Sequence, residues 1–435
     1  MKKLTAAICL LLCFAFLTSC SFVEEVLIPF LLETDTEQTG NIPDTAAEIP
    51  DTEPETEAEQ TGIKTEKATE SKHEPYVNDY APSYGDKTVY INKKTDAAEE
   101  FWKKTLQTDR DIAAYESLVK MMKNGAKEAK PGVRIGYKDM GRIYALFRID
   151  HPEAIFYGDS YNASGYENAI DAFMPSLPFA GEESAAKARF DSAVNSVLAL
   201  IPDNATDIEA EKIIFDWLCD NVEYDLGAKH PRSAYGALVD KRCVCVGFAD
   251  AFVYLCNKVG IRATGVNGIG RSGEKTENHR WCAVMIGGKW YLCDPTWGQG
   301  MDQQRYLYFN NSAYIKTNHT PDADKAPYLP DLSSVSAGYF EYYGLTFDDN
   351  TFDEAFLRAL DQCKDMMKKT PAAYAMIKAE QSVSAEKYAD MIENETAPIQ
   401  KLMSRFNEGK DRTYILYGDV EIKNGNMIIF KICRI

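Results

Sequence analysis

The sequence is poor in the features that mark nucleic-acid-binding, multispanning or zinc proteins. It has 48 basic against 66 acidic side chains, a formal net charge of −18, and this balance disfavours binding to nucleic-acid phosphates or anionic lipid. After the N-terminal region, no apolar run is long enough to span a bilayer. The sequence also lacks cysteine pairs with zinc-knuckle spacing, a histidine metal set and a phosphate-binding glycine motif. We therefore expect no nucleic-acid partner, no metal and no cofactor.

The first twenty residues have the pattern of a secretion signal. Lys2 and Lys3 precede an apolar run, from about residue 4 to 17, that is too short for a membrane-spanning helix. The run ends in Leu17-Thr18-Ser19-Cys20, which resembles the bacterial lipobox. That resemblance implies cleavage before Cys20, lipidation of Cys20, and a mature protein anchored at the cell membrane and facing outside the cytoplasm. The alternative is an uncleaved anchor that contains a chance cysteine.

Composition and apolar patterning divide the chain into five parts. A signal peptide over 1–19 precedes a lipidated, acidic linker over 20–75, which has too few apolar side chains to fold. Like charges extend such a linker, which suits a spacer between a membrane and a folded domain. Patterning then predicts an N-terminal α/β region over 76–200, a central domain over 201–325 and a C-terminal α+β region over 336–435.

Periodicity and end signals predict the secondary structure. Thr206 and Glu209 have the spacing of a capping box, and Gly260 follows the end of a helix that begins near Cys245. The predicted helices are Ala97–Met122, Glu182–Ile201, the segment after Thr206, Cys245–Val259, Asp353–Lys369 and Ala385–Asp390. The predicted strands are Ile143–Arg148, Ala154–Tyr157, Ala263–Asn267, Arg280–Ile286, Lys289–Cys293, Tyr414–Val420 and Asn426–Ile432, with Gly268–Asn278 as a loop.

A hairpin brings two titratable side chains together. Glycines at 287–288 between two apolar runs are a strong signal for a two-residue turn. With that turn, Trp281 is opposite Asp294 and His279 is opposite Thr296, so the four side chains share one face. His279 and Asp294 then form a diagonal pair, close enough for the carboxylate to orient the imidazole as a general base.

The cysteines divide into a candidate nucleophile and a candidate pair. Cys245 lies at the predicted start of a helix, where free amides and the helix dipole favour the thiolate. Gly247 would leave room there for a substrate carbonyl, and the Cys245 amide could donate to an oxyanion. The alternative is a buried, structural Cys245. On the other face of the hairpin, Cys282 is opposite Cys293, either as a disulfide or as two buried thiols.

Three motifs occur in the order typical of one family. They are Ser233-Ala234-Tyr235-Gly236-Ala237-Leu238 with Val244-Cys245-Val246-Gly247-Phe248-Ala249, then His279-Arg280-Trp281-Cys282, then Lys289-Trp290-Tyr291-Leu292-Cys293-Asp294-Pro295-Thr296-Trp297. Together they resemble the transglutaminase-like superfamily, which has a papain-like fold. The resemblance covers 207–297, with 306–310 as a trailing strand, and identifies 201–325 as a transglutaminase-like core in a bacterial surface lipoprotein. It implies an α+β fold in which the helix bearing the cysteine packs on an antiparallel sheet bearing the histidine and aspartate, with α+β regions on either side.

The resemblance also implies roles for single residues. Cys245 would be the nucleophile, His279 the general base and then acid, and Asp294 the group that orients His279. Two departures from the family leave the substrate open: Cys282 stands where Asn is frequent, and Val246 stands where Gln or Glu is frequent. The candidate cleft residues are Gly247, Trp281, Trp297 and Tyr235, and Tyr235 is also a candidate oxyanion donor.

These features predict an extracytoplasmic lipoprotein that performs acyl transfer through a thioester. Hydrolysis of a peptide or amide is favoured over transfer to an amine, and the expected partner is a protein or peptide substrate, with cell-wall peptide among the candidates. The alternative is a catalytically silent surface protein that keeps the fold for binding or as a scaffold. His151 and His319 are expected to be structural or loop residues.

Overall fold

A computed structural model describes residues 89–322, 338–367, 370–410 and 412–435 of the chain. The predicted signal peptide, the lipidation site at Cys20 and the acidic linker lie outside these residues. Within the described ranges, no helix is both long and apolar enough to cross a membrane.

The N-terminal region is a pair of helices with a hairpin. The expected strands at 143–148 and 154–157 are wrong, because 143–148 lies inside a helix and 154–157 forms turns. Met140, Ile143 and Phe147 are all buried at helical spacing, a period that a six-residue window is too short to show. The expected helix at 97–122 starts later, where the Thr108 side chain accepts the Asp111 amide. The elements are a 3₁₀ turn at Trp102–Thr105, α1 (Asp109–Lys123), α2 (Tyr137–Asp150), and the antiparallel strands β1 (Tyr161–Tyr166) and β2 (Ala169–Pro175).

Two further helices, the first at the end of the N-terminal region, precede the candidate nucleophile. Thr206 and Glu209 form the expected capping box. Gly260 has a positive φ of 84° just past the end of the helix that begins at Cys245, which is the backbone conformation expected for a glycine at that position. The elements are α3 (Glu183–Leu198), α4 (Asp207–Asn221), β3 (Glu223–Tyr224), a π-helical turn at Gly236–Asp240, β4 (Arg242–Cys243), which is parallel to β3, and α5 (Cys245–Lys258).

A four-stranded antiparallel sheet supports the candidate site. Its strands are β5 (Ala263–Ser272), β6 (Lys275–Ile286), β7 (Lys289–Cys293) and β8 (His319–Pro321). The predicted hairpin register is confirmed, since Ile286 pairs with Lys289 and Cys282 pairs with Cys293. The latter two cysteines are buried free thiols, which decides between the two alternatives above. The α5 helix packs against β5 and β6, as the expected α+β fold requires. Within the sheet, the strands pair in the order β7-β6-β5-β8.

The predicted loop at 268–278 is wrong, because β5 and β6 pair continuously from Ala263–Val284 to Ser272–Lys275. The glycines that suggested a loop allow close approach instead. A Cβ at Gly268 would lie 2.2 Å from the Thr320 carbonyl oxygen of β8 and 2.7 Å from the Trp281 ring. Glycine inside a strand therefore marks the point where a neighbouring backbone and an aromatic ring approach the sheet.

The segment after the hairpin is helical. The expected trailing strand at 306–310 is wrong, since 306–308 lies in a 3₁₀ helix and Asn310 has a positive φ of 51°. Leu307 and Phe309 are fully buried. The short apolar run therefore predicted burial correctly, but it is too short to distinguish a strand from a helix by its period. The elements are α6 (Pro295–Gly300), the 3₁₀ helix Asp302–Tyr308 and α7 (Ser312–Asn318).

The C-terminal region is a second α+β unit that shares a continuous core with the central region. The elements are α8 (Tyr339–Tyr342), β9 (Thr346–Phe347), α9 (Phe352–Met366), β10 (Ala372–Ala379), α10 (Ala385–Glu393), α11 (Ala397–Asn407), β11 (Tyr414–Leu416), β12 (Glu421–Lys423) and β13 (Met427–Arg434). The two helices and two strands expected here are present within a few residues of their predicted bounds, whereas β10 and α11 were not predicted. The strands of this unit pair in the order β11-β13-β10-β9, and β12 also pairs with β13.

Candidate active site

His279 and Asp294 meet in a buried hydrogen bond. The Nε2 atom of His279 lies 2.8 Å from Oδ2 of Asp294. The geometry differs from the predicted diagonal pair, because β7 ends at Cys293 and Asp294 is the N-cap of α6. Its Oδ1 atom accepts the amides of Thr296 at 2.9 Å and Trp297 at 3.3 Å. The start of α6 therefore fixes the carboxylate. The strand pairs expected between Trp281 and Asp294 and between His279 and Thr296 do not form, because the pairing of β6 with β7 ends at Cys282 and Cys293.

Cys245 is the first residue of α5 and meets the hairpin at His279. The His279 ring and the Arg280 backbone amide both approach its thiol closely enough to lower the pKa of the thiol. Because Nε2 of His279 faces Asp294, the ring presents Nδ1 to the sulfur. This contact joins a helix to a strand about thirty residues later, and the hairpin pattern alone carries no information about it.

The charges of this group favour a thiolate and an imidazolium. Burial opposes the charged form of Cys245, but His279 and the Arg280 amide hold the pKa of the thiol below its usual value. Burial likewise disfavours a charged His279, yet Asp294 and Cys245 raise the pKa of His279 to about 10. The pKa of Asp294 stays below its usual value despite complete burial, because His279 and then His319 stabilise its charge.

Other buried cysteines show how unusual Cys245 is. Cys245 is 8% exposed, and burial alone would raise its pKa as it does for comparable thiols. Burial raises the pKa of Cys219, Cys243, Cys256, Cys282, Cys293 and Cys363. Cys245 differs from these thiols by its contact with His279, so its environment is that of a reactive cysteine.

His319 is a fourth member of the group. Its Nε2 atom lies 3.0 Å from Oδ2 of Asp294, and its Nδ1 atom lies 2.7 Å from Oδ1 of Asn318. The expectation of an ordinary structural or loop residue is therefore incomplete. His319 follows Asp294 by 25 residues across three helical segments, and no sequence spacing predicts such a contact.

His279, Asp294 and His319 also present three possible metal-ligand atoms within 4.8 Å of one another. The sequence showed no such histidine set, because proximity arises only when β8 joins the sheet. Both imidazole nitrogens lie at hydrogen-bonding distance from the same carboxylate oxygen. Donation of two N–H groups to one carboxylate oxygen accounts for that arrangement as a hydrogen-bonded cluster.

The predicted cleft tryptophans have different positions. Trp281 is fully buried, and its ring stacks at 6.0 Å from that of His279. It therefore packs behind the imidazole and is not a cleft wall. Trp297 is partly exposed, with its ring 5.5 Å from His279 and 4.5 Å from His319. Trp297 therefore shields the two imidazoles from one side.

Gly247 and Tyr235 also have roles other than those predicted. A Cβ at Gly247 would lie 2.5 Å from Cβ of Cys243 and 3.0 Å from the Pro231 carbonyl oxygen. Glycine is thus required there by close packing of α5 and not by space for a substrate. Tyr235 is buried, and its hydroxyl accepts a hydrogen bond from Nε of Arg189 at 2.8 Å. The hydroxyl lies against Arg189 on α3, and a role for Tyr235 as the oxyanion donor stays a prediction.

Tyr224 is a better candidate for that donor. It is partly exposed on β3, where it pairs with Cys243, two residues before the nucleophile. Burial raises the pKa of Tyr224, and the negative charges of Cys245 and then Glu277 raise it further. Within the part of the chain that the structure describes, its hydroxyl makes no hydrogen bond. A protonated, unengaged hydroxyl near the thiolate can donate to an oxyanion.

A buried ion pair connects the two elements that meet at the site. Nη1 of Arg280 lies 2.8 Å from Oδ1 of Asp250, and Nε of Arg280 donates to Oδ1 of Asn267 at 2.7 Å. Asp250 lies on α5 five residues after Cys245, and Arg280 directly follows His279. The ion pair therefore fixes the helix that carries the nucleophile relative to the strand that carries the base.

Residues 198–295 match the family profile of the transglutaminase-like superfamily, and Cys245, His279 and Asp294 all lie within the match. These residues form a transglutaminase-like domain. The kyphoscoliosis peptidases of Mus musculus and Homo sapiens are 27% and 29% identical to the chain over 165 and 160 residues, which is 32% of this chain in each case. The match covers 25% and 24% of those two proteins, so the chain spans about a quarter of the length of the curated relatives. The solved structure of a TGase is 13% identical, with a TM-score of 0.23, over 32% of this chain and 44% of that chain.

Proposed function

We propose that the transglutaminase-like domain is an acyl-transfer enzyme that forms a thioester on Cys245. The observation that carries the proposal is the contact of a helix-start thiol with an imidazole that is held by a buried carboxylate. A paired thiolate and imidazolium provide the nucleophile and the acid that such a reaction needs.

The first half of the reaction makes the thioester. The Cys245 sulfur attacks the carbonyl carbon of an amide, and the electron pair of the C=O bond moves to oxygen. The amide of Cys245 is the first of α5 and has no partner within the helix, so it can donate to that oxyanion together with the Tyr224 hydroxyl. His279 then gives its proton to the departing amine as the C–N bond breaks, and the oxyanion collapses to the thioester.

The second half depends on the acceptor. His279, now neutral, takes a proton from the incoming nucleophile at Nδ1, while Asp294 holds the other ring nitrogen. Water as acceptor gives a carboxylic acid and regenerates the thiol, whereas an amine gives a new amide. We propose hydrolysis of a peptide or amide, a preference supported by the relatives that are named peptidases.

The experiment that tests this proposal measures the reactivity of one thiol. We expect iodoacetamide at pH 7 to alkylate Cys245 at least tenfold faster than a free cysteine, whose pKa is about 8.5. Peptide mapping assigns the labelled residue, and Cys245→Ala is the control. Peptide cleavage and incorporation of a fluorescent amine into casein then distinguish the two acceptors. A labelling rate no greater than that of free cysteine would contradict the proposal.

A second function has one observation in its favour. Cys245 and His279 are only 8% and 5% exposed, which suits a protein that keeps the fold for binding or as a scaffold. In that case Cys245→Ala would leave every measured activity of the protein unchanged. Loss of peptide cleavage or amine transfer in Cys245→Ala would exclude this alternative.

We also propose that the protein is a lipoprotein anchored at Cys20 and facing outside the cytoplasm, with a protein or peptide as its substrate. The motif at residues 17–20 and the acidic linker support this placement. Expression of the full chain in a bacterial host should place the protein in the membrane fraction and make it accessible to protease in intact or osmotically opened cells. Cys20→Ala should move it to another fraction, and an unchanged distribution would contradict lipid anchoring.

A further inference from the structure

The Asp294 carboxylate receives four N–H groups. Its Oδ1 atom accepts two backbone amides at the start of α6, and its Oδ2 atom accepts Nε2 of His279 and Nε2 of His319. The carboxylate therefore has a hydrogen-bond partner for each of its lone pairs. The base needs one of these four contacts, and the two amides are normal for a helix N-cap. The contact with His319 has no role in the proposed reaction.

The fold holds His319 in place from several sides. It is the first residue of β8, which lies at the edge of the sheet and pairs with β5 through Gly270. Its side chain has no exposed surface, and the Trp281 and Trp297 rings lie 4.9 and 4.5 Å away. The second ring nitrogen, Nδ1, lies 2.7 Å from Oδ1 of Asn318. A buried imidazole whose two nitrogens are both engaged has one orientation, and that orientation points Nε2 at Asp294.

We propose that His319 is a positioning residue that acts on the nucleophile through Asp294 and His279, and the inference therefore rests on the proposed function. With His319 present, Oδ2 is held between two N–H donors, so the carboxylate cannot turn away from His279. Without it, the amides of Thr296 and Trp297 would still hold Oδ1, but Oδ2 would have an unsatisfied lone pair in a buried site and could turn about Oδ1 toward another donor. The His279 ring would then lose its fixed tautomer and its fixed orientation toward the Cys245 thiol.

The chain allows this role to be separated from a packing role. In His319→Gln the side-chain amide can still donate to Oδ2, whereas His319→Leu fills similar space without a donor. His151 provides a matched control, since it is also buried and bonded to a carboxylate, that of Glu153 at 2.9 Å, but lies in the N-terminal region. The assay is the second-order rate of alkylation of Cys245 by iodoacetamide at pH 7 in the full chain, with thermal unfolding measured in parallel.

We expect His319→Leu to lower the alkylation rate by about tenfold, the lower end of the loss seen when outer hydrogen-bond partners of a functional histidine are removed. His319→Gln should stay within about threefold of wild type, and His151→Leu should not change the rate even if it lowers the unfolding temperature. In an Asp294→Asn background, His319→Leu should have no further effect, because two residues that act through one contact are not additive.

Two results would overturn the inference. One is a His319→Leu protein that alkylates at the wild-type rate, and the other is an undiminished effect of His319→Leu in the Asp294→Asn background. If His319→Leu does not fold, His319→Asn replaces it, since its shorter side chain cannot reach Oδ2, and the same expectations hold. A slow wild-type thiol would instead contradict the proposed function itself, so the two failures are distinguishable. One tightly held metal ion per chain whose removal changes the alkylation rate would also overturn the inference.

Discussion

At the scale of single residues, the protein stabilises charge where burial should remove it. Cys245, His279 and Asp294 are all nearly or fully buried, yet each favours its charged form. Burial of isolated charges is costly, so these three groups have to stabilise one another. The thiolate is therefore a property of the cluster, and any change in one member should be visible in the titration of another.

The first prediction concerns the pH dependence of Cys245. The pKa of the thiol is lowered and the pKa of His279 is raised to about 10, so the ion pair persists between these two values. The alkylation rate should therefore rise at a lower pH than that of an ordinary thiol, whose pKa is about 8.5, and should change again only as His279 loses its proton near pH 10. In His279→Ala the thiol should react at pH 6 at least tenfold more slowly than in wild type. A wild-type profile that rises with a midpoint near pH 8.5 would contradict the ion pair.

The second prediction separates Tyr224 from the other site residues. Its hydroxyl is the proposed oxyanion donor, and alkylation by iodoacetamide forms no oxyanion. Tyr224→Phe should therefore keep the alkylation rate of Cys245 but lower peptide cleavage or amine transfer by about a hundredfold, the loss typical of one oxyanion donor. Tyr235→Phe is the matched control, because its hydroxyl binds Arg189, and it should leave turnover unchanged. Equal losses of alkylation and turnover in Tyr224→Phe would show that the residue acts on the thiol instead.

At the scale of elements, the site depends on how α5 lies against β6. The buried pair of Asp250 and Arg280 joins them beside the reacting groups. Asp250→Ala would leave the Arg280 guanidinium buried without its partner, which we expect to cost about 3–5 kcal/mol of unfolding free energy in urea denaturation. Asp191→Ala breaks the exposed pair with Lys187 and should cost less than about 0.5 kcal/mol. Similar costs for the two variants would show that the buried pair does not hold the elements together.

Elements also show which parts of the site can be predicted from sequence. The register of β6 and β7 was predictable, because a two-residue glycine turn and a period of two specify every opposed pair. The pairing of His279 with Asp294 followed, although its geometry depends on the start of α6. The approach of Cys245 required the family resemblance, since no local pattern spans the distance between α5 and β6. His319 was missed because β8 has three residues and reaches the sheet through contacts that leave no periodic signal.

Glycine was the main source of error in the sheet. Gly268 and Gly270 suggested a loop, but they lie in a paired strand where β8 and the aromatic rings approach closely. Composition alone cannot separate a glycine that permits a turn from one that permits a close contact. The same two positions allow His319 to approach Asp294, so the mistaken loop and the missed histidine have one physical cause.

At the scale of the whole molecule, the transglutaminase-like domain does not have a core of its own. The C-terminal region contributes to the same continuous cluster of buried side chains. Tyr306 stacks on Tyr339 at 4.1 Å, and Nδ2 of Asn311 lies 3.2 Å from the sulfur of Met427. By contrast, most of the buried side chains of α1, α2 and the β1–β2 hairpin form a separate cluster. The two flanking regions should therefore differ in how much they support the site.

The last prediction tests that difference by truncation. A chain that ends at residue 322 would lack β10 and β13 with the fully buried Ile377 and Ile428, and it would expose the part of the shared core that these strands cover. Because each fully buried aliphatic side chain contributes about 1.5–3 kcal/mol, loss of a region of this size should exceed the whole stability of a typical domain. We expect the truncated protein to lack a cooperative thermal transition and to alkylate Cys245 no faster than free cysteine. A chain that begins at residue 178 removes α1, α2 and the hairpin but keeps α3, and it should retain a cooperative transition at a lower temperature. Cooperative unfolding and a fast-reacting Cys245 in the chain ending at 322 would show that the central region folds and forms its site alone.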